Sequence, residues 1–245
     1  MNAAIIGATG LIGANVLLGL LADERYQQVM VLGRRLPQLA EGTHGIDKLS
    51  FIQCQLEDIP SLSIPIDIDH AFCCLGTTIK QAGSQDNFNK VDVTAVIDFA
   101  KLIQQHQLSR NSSKPWSFSV VTALDANANS SIFYNRAKGQ VQQALVALNL
   151  PKLMIFQPSL LLGERASQRT LEDIGQKFFA IASGVFIGPL AKYKPITGKL
   201  VADNMLAVAI KDEELVTDAE LVNDTKLDKV EVRIIDNKQM HRLVN

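Results

Sequence analysis

Short apolar runs alternate along the chain with longer segments in which apolar residues recur every three or four positions. The runs predict buried strands, and the longer segments predict amphipathic helices. Strands are predicted at 3–6, 27–33, 51–56, 69–76, 116–124 and 152–159, and helices at 10–21, 87–106 and 131–150. This alternation is typical of a doubly wound parallel sheet with helices on both faces. We therefore predict a single Rossmann-like α/β domain over residues 1–245.

The regular alternation ends after Pro158, where the pattern changes to helices at 171–182 and 198–211 and a final strand at 230–235. We expect residues 160–245 to form a small cap on the substrate side of the same domain. The apolar stretch 178–191 is shorter than the roughly 20 residues that a membrane-spanning helix needs. It is interpreted as a core-facing helix end or a wall of the substrate site. A hydrophobic lid, or a surface facing a partner or a membrane, stays an alternative.

Three glycines, Gly7, Gly10 and Gly13, separate the first predicted strand from the first predicted helix. Because glycine has no Cβ, it permits a tight turn and a close approach of a ligand to the backbone. The first turn of a helix also presents unpaired N–H groups and a partial positive charge. Phosphate groups bind at such a terminus, so the segment predicts a nucleotide-binding turn. A glycine-rich turn of some other α/β protein is the alternative.

Two arginines follow the second predicted strand, where the adenosine ribose of a dinucleotide is expected to lie. NAD enzymes often carry an acidic residue there, which accepts a hydrogen bond from the 2′-hydroxyl. This chain has Gly33, Arg34 and Arg35 instead. Guanidinium groups bind a 2′-phosphate through charge-assisted hydrogen bonds. The predicted cofactor is therefore NADP(H) rather than NAD(H), with two exposed turn arginines as the alternative interpretation.

The segment YNRAK, at 134–138, begins the helix after the fifth predicted strand. Residues four apart lie on one face of a helix, so Tyr134 and Lys138 are neighbours. Free tyrosine has a pKa near 10, and a neighbouring ammonium group favours the phenolate. Such a pair can exchange a proton with a carbonyl or alcohol oxygen, and Thr122 at the end of the fifth strand could hold that oxygen. An exposed helix face with an ordinary lysine is the alternative.

Composition and charge narrow the classes of partner. The formal net charge is −1, and no basic stripe indicates nucleic acid binding. The 3 cysteines and 4 histidines match neither a disulfide framework nor a metal site, and Cys73 and Cys74 are interpreted as small core residues. The first residues lack the features of a signal peptide, so we expect a cytoplasmic protein without a transmembrane segment.

These motifs together resemble the short-chain dehydrogenase/reductase superfamily. GATGLIG, the turn at 33–35, CLGTT at 74–78 and YNRAK follow one another in that family's order. The glycine spacing is similar to that of its extended and atypical branches. CCLGTT and QPSLLLGER most resemble the atypical branch that includes the Tat-interacting-protein oxidoreductases. The resemblance spans about residues 3–200 and implies an NAD(P)-dependent oxidoreductase that acts on a small molecule.

The resemblance also implies a role for each matching residue. The pyrophosphate would be lined by Gly7, Thr9, Gly10, Leu11 and Ile12, beside Gly13 of the same turn. The 2′-phosphate would meet Arg34 and Arg35, and the adenine would be flanked by Gln55 and Leu56. The nicotinamide half would run along Leu75, Gly76 and Thr77 and be closed by Pro158 and Ser159. Tyr134 would be the acid/base, and Lys138 would tune it and bind the nicotinamide ribose.

The chain departs from the family pattern at three places. Gln55 stands where the family often has an aspartate, and Thr122, followed by Ala123, stands for the usual serine. The additional methyl group of threonine narrows the pocket. The third departure is the polar segment 80–89, which is expected near the mouth of the active site as a lid or as an ordinary loop.

Three functions stay open at this point. The first is an NADP(H)-dependent oxidoreductase that uses Tyr134, Lys138 and Thr122 on a carbonyl or alcohol. The second is a regulator that binds NADPH and sets its affinity for a protein partner, since one fold can host both. The third is an epimerase or dehydratase that retains its cofactor. Lys192 and Lys194 could meet an anionic substrate or belong to a solvated turn, and a homodimer is open.

Overall fold

The computed structural model describes residues 1–110, 115–162, 188–220 and 230–243. Its main sheet has seven parallel strands in the order β3-β2-β1-β4-β5-β6-β9. These strands are β1 (Asn2–Ile6), β2 (Gln28–Gly33), β3 (Leu49–Gln53), β4 (His70–Cys73), β5 (Ser117–Val121), β6 (Lys152–Gln157) and β9 (Glu231–Asp236). A separate parallel pair consists of β7 (Leu161–Leu162) and β8 (Ile196–Thr197). The predicted Rossmann-like fold class is confirmed.

Helices connect the strands and cover both faces of the sheet. They are α1 (Leu11–Ala22), α2 (Ile79–Ala82), α3 (Gln85–Asn89), α4 (Ala95–Ser109) and α5 (Phe133–Ala147). Two further helices, Gly198–Glu220 and Asn237–Leu243, lie in the C-terminal part. Short 3-10 turns occupy Ile46–Lys48, Leu56–Ser61 and Gly188–Tyr193. The predicted helix 171–182 and residues 178–187 of the apolar stretch lie outside the described residues.

The predicted helix 87–106 differs from the structure in one respect. A π-helical turn, Lys90–Thr94, separates α3 from α4. Such a turn adds a residue to the helix and changes the direction in which the following side chains point. Asp92 lies within it and is fully buried.

Two apolar layers explain why the strand sequences read as continuous apolar runs. Successive side chains of β1 enter opposite layers, with Ala4 and Ile6 in one and Ala3 and Ile5 in the other. The second layer includes residues of the helix Gly198–Glu220, which packs on α1. A Cβ at Gly198 would lie 2.6 Å from the Leu11 side chain, so this helix begins in close contact with the start of α1.

Candidate active site

A cavity of about 450 Å³ lies at the carboxyl ends of β1, β2 and β4. In the strand order, β1 stands between β2 and β4, so the chain changes direction across the sheet at this point. Ligands of open α/β sheets bind at such a switch point. We call this space the strand-end cavity. Its predicted lining residues are Gly7, Thr9, Gly10, Arg34, Arg35, Leu56, Leu75, Gly76 and Thr77, joined by others such as Cys54, Cys74, Gln81 and Val91.

The glycine turn forms one wall of the strand-end cavity. Gly7 has a φ of +83°, and a Cβ there would lie 2.5 Å from the carbonyl group of Cys74. A Cβ at Gly13 would lie 2.2 Å from the Gly7 carbonyl oxygen. Gly10 precedes α1, and no side chain caps this end of the helix. Two of the glycines therefore permit the tight turn, and the helix N–H groups remain available to a ligand.

Three residues of the predicted pyrophosphate turn contribute to packing rather than to the cavity lining. Leu11 packs against the helix Gly198–Glu220, and Ile12 is buried in the core. Gly13 contacts the backbone of Gly7 within the turn. These three therefore shape the turn from behind, while Thr9 and Gly10 face the space.

Arg34 and Arg35 are exposed and line the strand-end cavity. Within the described part of the chain, neither guanidinium group has a hydrogen-bond or ion-pair partner. Across the cavity, Leu56 and Cys54 are lining residues, whereas Gln55 is exposed and is not. The Gln55 backbone N–H donates to the Asp58 carboxylate at 2.8 Å, which fixes the start of a 3-10 turn.

Lys138 forms a buried ion pair that the sequence did not indicate. Its Nζ lies 2.7 Å from Oδ1 of Asp92, and the exposed side-chain fractions are 5% and 0%. The other carboxylate oxygen, Oδ2, accepts a hydrogen bond of 2.8 Å from the backbone N–H of Thr77. One carboxylate therefore joins the first turns of α5 to the wall of the strand-end cavity.

Tyr134 is half-buried at the start of α5. Its ring meets the Phe88 ring edge to face, with 5.8 Å between centroids. Phe88 is itself fully buried and contacts Phe133 at 5.5 Å. Among the described residues, none forms a hydrogen bond with the Tyr134 hydroxyl. Tyr134 does not itself line the strand-end cavity.

Thr122 is buried, and its hydroxyl group is already engaged. Oγ1 donates to the carbonyl oxygen of Phe156 at 3.2 Å and accepts from Nε2 of Gln142 at 2.8 Å. Gln142 in turn accepts a hydrogen bond of 3.2 Å from Gln157. A hydroxyl has one proton to donate. In this structure the Thr122 hydroxyl proton is therefore directed to a carbonyl oxygen of β6, and its role towards a substrate oxygen stays a prediction.

The residues after β6 are tied to the C-terminal part of the chain. Pro158 is buried, and its carbonyl oxygen accepts from the Leu124 N–H at 2.9 Å. Ser159 donates from Oγ to the carbonyl oxygen of Lys194 at 2.6 Å, and its N–H donates to Asn237 at 3.0 Å. Pro158 is therefore bonded to the segment after β5, and Ser159 is bonded to the C-terminal part of the chain.

Lys192 reaches back to the loop after β5. Its Nζ lies 3.2 Å from Oδ1 of Asp125 and 4.7 Å from the centre of the Tyr193 ring. Hydrogen bonds with Tyr193 and Asp125 raise the pKa of Lys192. Asp125 has a φ of +57°, which is unusual for a residue with a Cβ. The turn that contains Lys192 is therefore exposed to solvent, and its ammonium group is paired with Asp125.

The three cysteines lie in two different environments, the core and the wall of the strand-end cavity. Burial raises the pKa of Cys73 to about 12, against an opposing effect of Lys138. Burial also raises the pKa values of Cys74 and Cys54, both of which line the strand-end cavity. The interpretation of the adjacent pair as core residues therefore holds for Cys73, while Cys74 is only partly buried.

Sequence reasoning missed Asp92, Phe88 and Gln142. The available signal was the position of Asp92 on the apolar side of a predicted helix, four residues after Phe88 and four before Val96. A carboxylate on a buried face requires a partner. The polar segment 80–89 contains that same Phe88 and forms α2 and α3 rather than an irregular loop.

Within the described residues, no group of three or more histidine, cysteine, aspartate or glutamate side chains comes together in a way that would hold a metal ion. Among the helices in the described part of the chain, none combines the length and the apolar character that crossing a bilayer requires.

Comparison with curated sequences identifies related proteins of similar length. FMP52-1, a mitochondrial protein of Scheffersomyces stipitis, is 32% identical over 174 residues, which cover 70% of this chain and 72% of the relative. HTATIP2 of Rattus norvegicus is 29% identical over 175 residues, covering 71% and 69%. No family model matches the chain.

Solved structures share the fold at low sequence identity. A 3-oxoacyl-(acyl-carrier protein) reductase from Brucella melitensis has a TM-score of 0.66 at 12% identity and covers 97% of this chain and 96% of its own. WbmH from Bordetella bronchiseptica, in complex with NAD+, has a TM-score of 0.59 at 14% identity, with coverage of 96% and 86%. At these identities the similarity shows the fold alone.

The relatives correct one prediction and settle another. The predicted cytoplasmic location is wrong, because the FMP52 relatives are named as mitochondrial proteins. A signal-peptide pattern tests for secretion only and does not separate the cytoplasm from an organelle. The fold, the order of the motifs and these relatives agree with the resemblance seen in the sequence. The chain belongs to the short-chain dehydrogenase/reductase superfamily, in the atypical branch that contains HTATIP2 and the FMP52 proteins.

Proposed function

We propose that the protein is an NADP(H)-dependent oxidoreductase that acts on the carbonyl or alcohol group of a small molecule. One observation carries the proposal: Lys138, four residues after Tyr134, is joined through Asp92 to Thr77 in the wall of the strand-end cavity. A Tyr/Lys pair that is fixed beside a nucleotide-sized cavity suits proton transfer during a hydride reaction. WbmH, which shares the fold, was solved with a dinucleotide bound.

The strand-end cavity has the features that a phosphorylated dinucleotide needs. The uncapped start of α1 offers N–H groups to the pyrophosphate. Arg34 and Arg35 provide two guanidinium groups that no described residue pairs. A 2′-phosphate there would form charge-assisted hydrogen bonds, which favours NADP(H) over NAD(H). Leu56 and Cys54 provide the apolar wall for an adenine ring.

Residues of the chain would transfer the proton and hold the cofactor, while the cofactor carries the hydride. The bound cofactor supplies or accepts the hydride. Tyr134 would give its hydroxyl proton to the substrate oxygen in the reducing direction and take it back in the oxidising direction. The Lys138 ammonium group would donate hydrogen bonds to ribose hydroxyls of the cofactor. Ring packing with Phe88 holds the tyrosine at the start of α5.

Calorimetric titration with NADPH and NADH tests the cofactor. We expect NADPH to bind at least about tenfold more tightly, a difference of about 1.4 kcal/mol, and Arg34→Ala/Arg35→Ala to abolish that difference. The matched control is Arg25→Ala/Arg110→Ala, which removes two exposed arginines that pair with surface aspartates. Equal affinities for the two nucleotides would refute the arginine assignment, and binding of neither would refute the cofactor.

Replacement of the tyrosine tests turnover. With a carbonyl compound found by screening NADPH oxidation, Tyr134→Phe should lower kcat by about 10²–10⁴-fold, because general acid–base catalysis contributes that much. Tyr193→Phe removes a hydroxyl from the solvated turn and should leave kcat unchanged. An unchanged kcat in Tyr134→Phe would exclude the proposed role.

A second candidate function rests on Thr122. Because its proton is donated to Phe156, the usual third member of the catalytic set is occupied. A regulator that binds NADPH without turnover needs no such member. Absence of NADPH oxidation across a carbonyl screen, together with tight and selective NADPH binding, would favour the regulator over the enzyme.

A further inference from the structure

The connection between β2 and β3 leaves a second cavity beside α1. Parallel strands need a crossover, which is usually a helix, and right-handed crossovers in the order β3-β2-β1 place this one on the same face as α1. Residues 34–45, all of which the structure describes, form neither helix nor strand. The chain then returns to the end of α1, where Lys48 donates hydrogen bonds to the carbonyl oxygens of Leu21 and Asp23. Between α1 and this segment is a space of about 500 Å³, which we call the side cavity.

Leucine side chains from both segments line the side cavity. α1 contributes Leu17, which is buried, and Leu18, of which 45% is exposed. The segment after β2 contributes Leu36, of which 53% is exposed, and Leu39, which packs partly against the core. A volume of about 500 Å³ lies in the range of ligand pockets, which is about 300–1,000 Å³. The side cavity therefore suits the hydrocarbon part of a small molecule.

One guanidinium group lies where the side cavity meets the strand-end cavity. Among the described lining residues of the side cavity, Arg35 is the one with a charged side chain, and no described residue pairs with it. Arg35 also lines the strand-end cavity, as do Ala8 and Thr9. Arg34 lines the strand-end cavity but is not among the described lining residues of the side cavity. The two cavities are therefore neighbours that share one cation.

We propose that the side cavity binds a small anionic amphiphile, a carboxylate with an unbranched hydrocarbon tail, and that this ligand competes with the 2′-phosphate of the cofactor for Arg35. The carboxylate forms charge-assisted hydrogen bonds with the guanidinium group, and the tail lies along the leucines. Coupling between two ligands is reciprocal, so the amphiphile and NADPH weaken the binding of each other by the same factor. Binding of the amphiphile does not depend on the proposed function, whereas the competition rests on it, because it assigns Arg35 to the 2′-phosphate.

Calorimetric titration with decanoate tests the side cavity without any nucleotide. Decyltrimethylammonium has a tail of the same length and a cationic head, so it reports binding by the tail alone. We expect decanoate to bind at least about tenfold more tightly than the cation, a difference of about 1.4 kcal/mol. Octanoate should bind more weakly than decanoate, by up to about fourfold for each CH₂ group that is no longer buried. Equal affinities for decanoate and the cation would overturn the proposal.

The two neighbouring arginines test the charged end of the side cavity. Arg35→Ala should weaken decanoate binding about tenfold, because it removes the cation that the two cavities share. Arg34→Ala is the matched control and should leave the decanoate affinity within about twofold of wild type. Equal decanoate affinities in the two variants would overturn the assignment of the carboxylate to Arg35.

Exposed leucines test the apolar end. Leu18→Gln/Leu36→Gln replaces two partly exposed side chains of the side cavity and should weaken decanoate binding about tenfold. The matched control is Leu108→Gln/Leu243→Gln, which changes two exposed leucines on other helices and should bind decanoate as wild type does. Equal affinities in these two double variants would overturn the side cavity as the place of the tail.

The two nucleotides test the competition. Saturating decanoate should raise the Kd of NADPH at least about fivefold and that of NADH less than about twofold, because NADH has no 2′-phosphate. An unchanged Kd of NADPH would overturn the competition, and so would an equal rise for both nucleotides. If the wild-type protein binds neither nucleotide, the proposed function fails, and the decanoate titrations of the wild type and its variants then decide on the side cavity by themselves.

Discussion

The two ends of the candidate site differ in the groups that form them. The phosphate end is the glycine turn with Arg34 and Arg35, and the proposed catalytic end is the region of Lys138 and Thr122. At the phosphate end, the walls are backbone, glycine and two arginines whose guanidinium groups have no partner among the described residues. At the proposed catalytic end, two of the polar side chains are held by other parts of the chain: Lys138 pairs with Asp92, and Thr122 bonds to the Phe156 carbonyl and to Gln142. One end offers open groups to a ligand, and the other holds its groups in fixed places.

This difference follows from what each end has to do. A phosphate binds wherever N–H groups and cations converge, so the phosphate end needs only a turn of the correct shape. Proton transfer requires a donor within hydrogen-bond reach of one oxygen atom, so the catalytic end needs rigid side chains. Rigidity comes from contacts between distant parts of the chain, such as Thr77 with Asp92 and Asp92 with Lys138.

The largest expected effect on stability comes from adding a Cβ to the glycine turn at the phosphate end. Gly7→Ala places a Cβ 2.5 Å from the Cys74 carbonyl group at a φ of +83°. Left-handed strain and overpacking together should lower the free energy of unfolding by about 2–5 kcal/mol. Urea unfolding gives this value. Gly33→Ala is the matched control, since a Cβ there meets nothing within 4 Å, and a wild-type midpoint for Gly7→Ala would show that the turn is not constrained.

The fold could be predicted because its signals are local. The five central strands of the sheet are buried along most of their length, and their side chains enter both apolar layers, so the apolar runs and the burial agree. The edge strands β3 and β9 are only partly buried. Most boundaries differ from the prediction by a few residues, whereas the helix predicted at 198–211 extends to Glu220. The π-helical turn could not be predicted, because Lys90–Thr94 has the same apolar spacing as an α-helix on either side of it.

The parts of the candidate site that lie within one short segment of sequence could be predicted, and the contacts between distant segments could not. Gly7, Gly10 and the arginines are read from one turn each, and all of them line the strand-end cavity. Lys138 pairs with Asp92 on a different helical segment, and the partners of Thr122, Phe156 and Gln142, are 34 and 20 residues away along the chain. No spacing rule connects such positions, so the sequence indicated the candidate catalytic residues without their environment.

A smaller effect is expected at Thr122. Thr122→Val preserves the shape and removes a hydroxyl that bonds Phe156 and Gln142, which should cost about 1–2 kcal/mol of unfolding free energy. Thr43→Val is the matched control, because its hydroxyl also donates to a backbone carbonyl but is exposed. A loss of turnover in Thr122→Val with no loss of stability would show instead that the hydroxyl serves the substrate.

The smallest effect compares Cys54, which lines the strand-end cavity, with Cys73 in the core. A thiol with a pKa of about 12 is ionised to about one part in ten thousand at pH 8, so Cys73 should resist alkylation as long as the protein is folded. Cys54 lines the strand-end cavity, and its pKa is raised less far, so iodoacetamide should label it first. Labelling of both should accelerate as the pH rises, because the thiolate is the reactive form.

Mass spectrometry of digested protein measures each rate, and Cys54→Ser confirms the assignment. NADPH should slow the labelling of Cys54 several-fold and leave Cys73 unaffected, whereas equal labelling of the two thiols would contradict an open phosphate end beside a closed core.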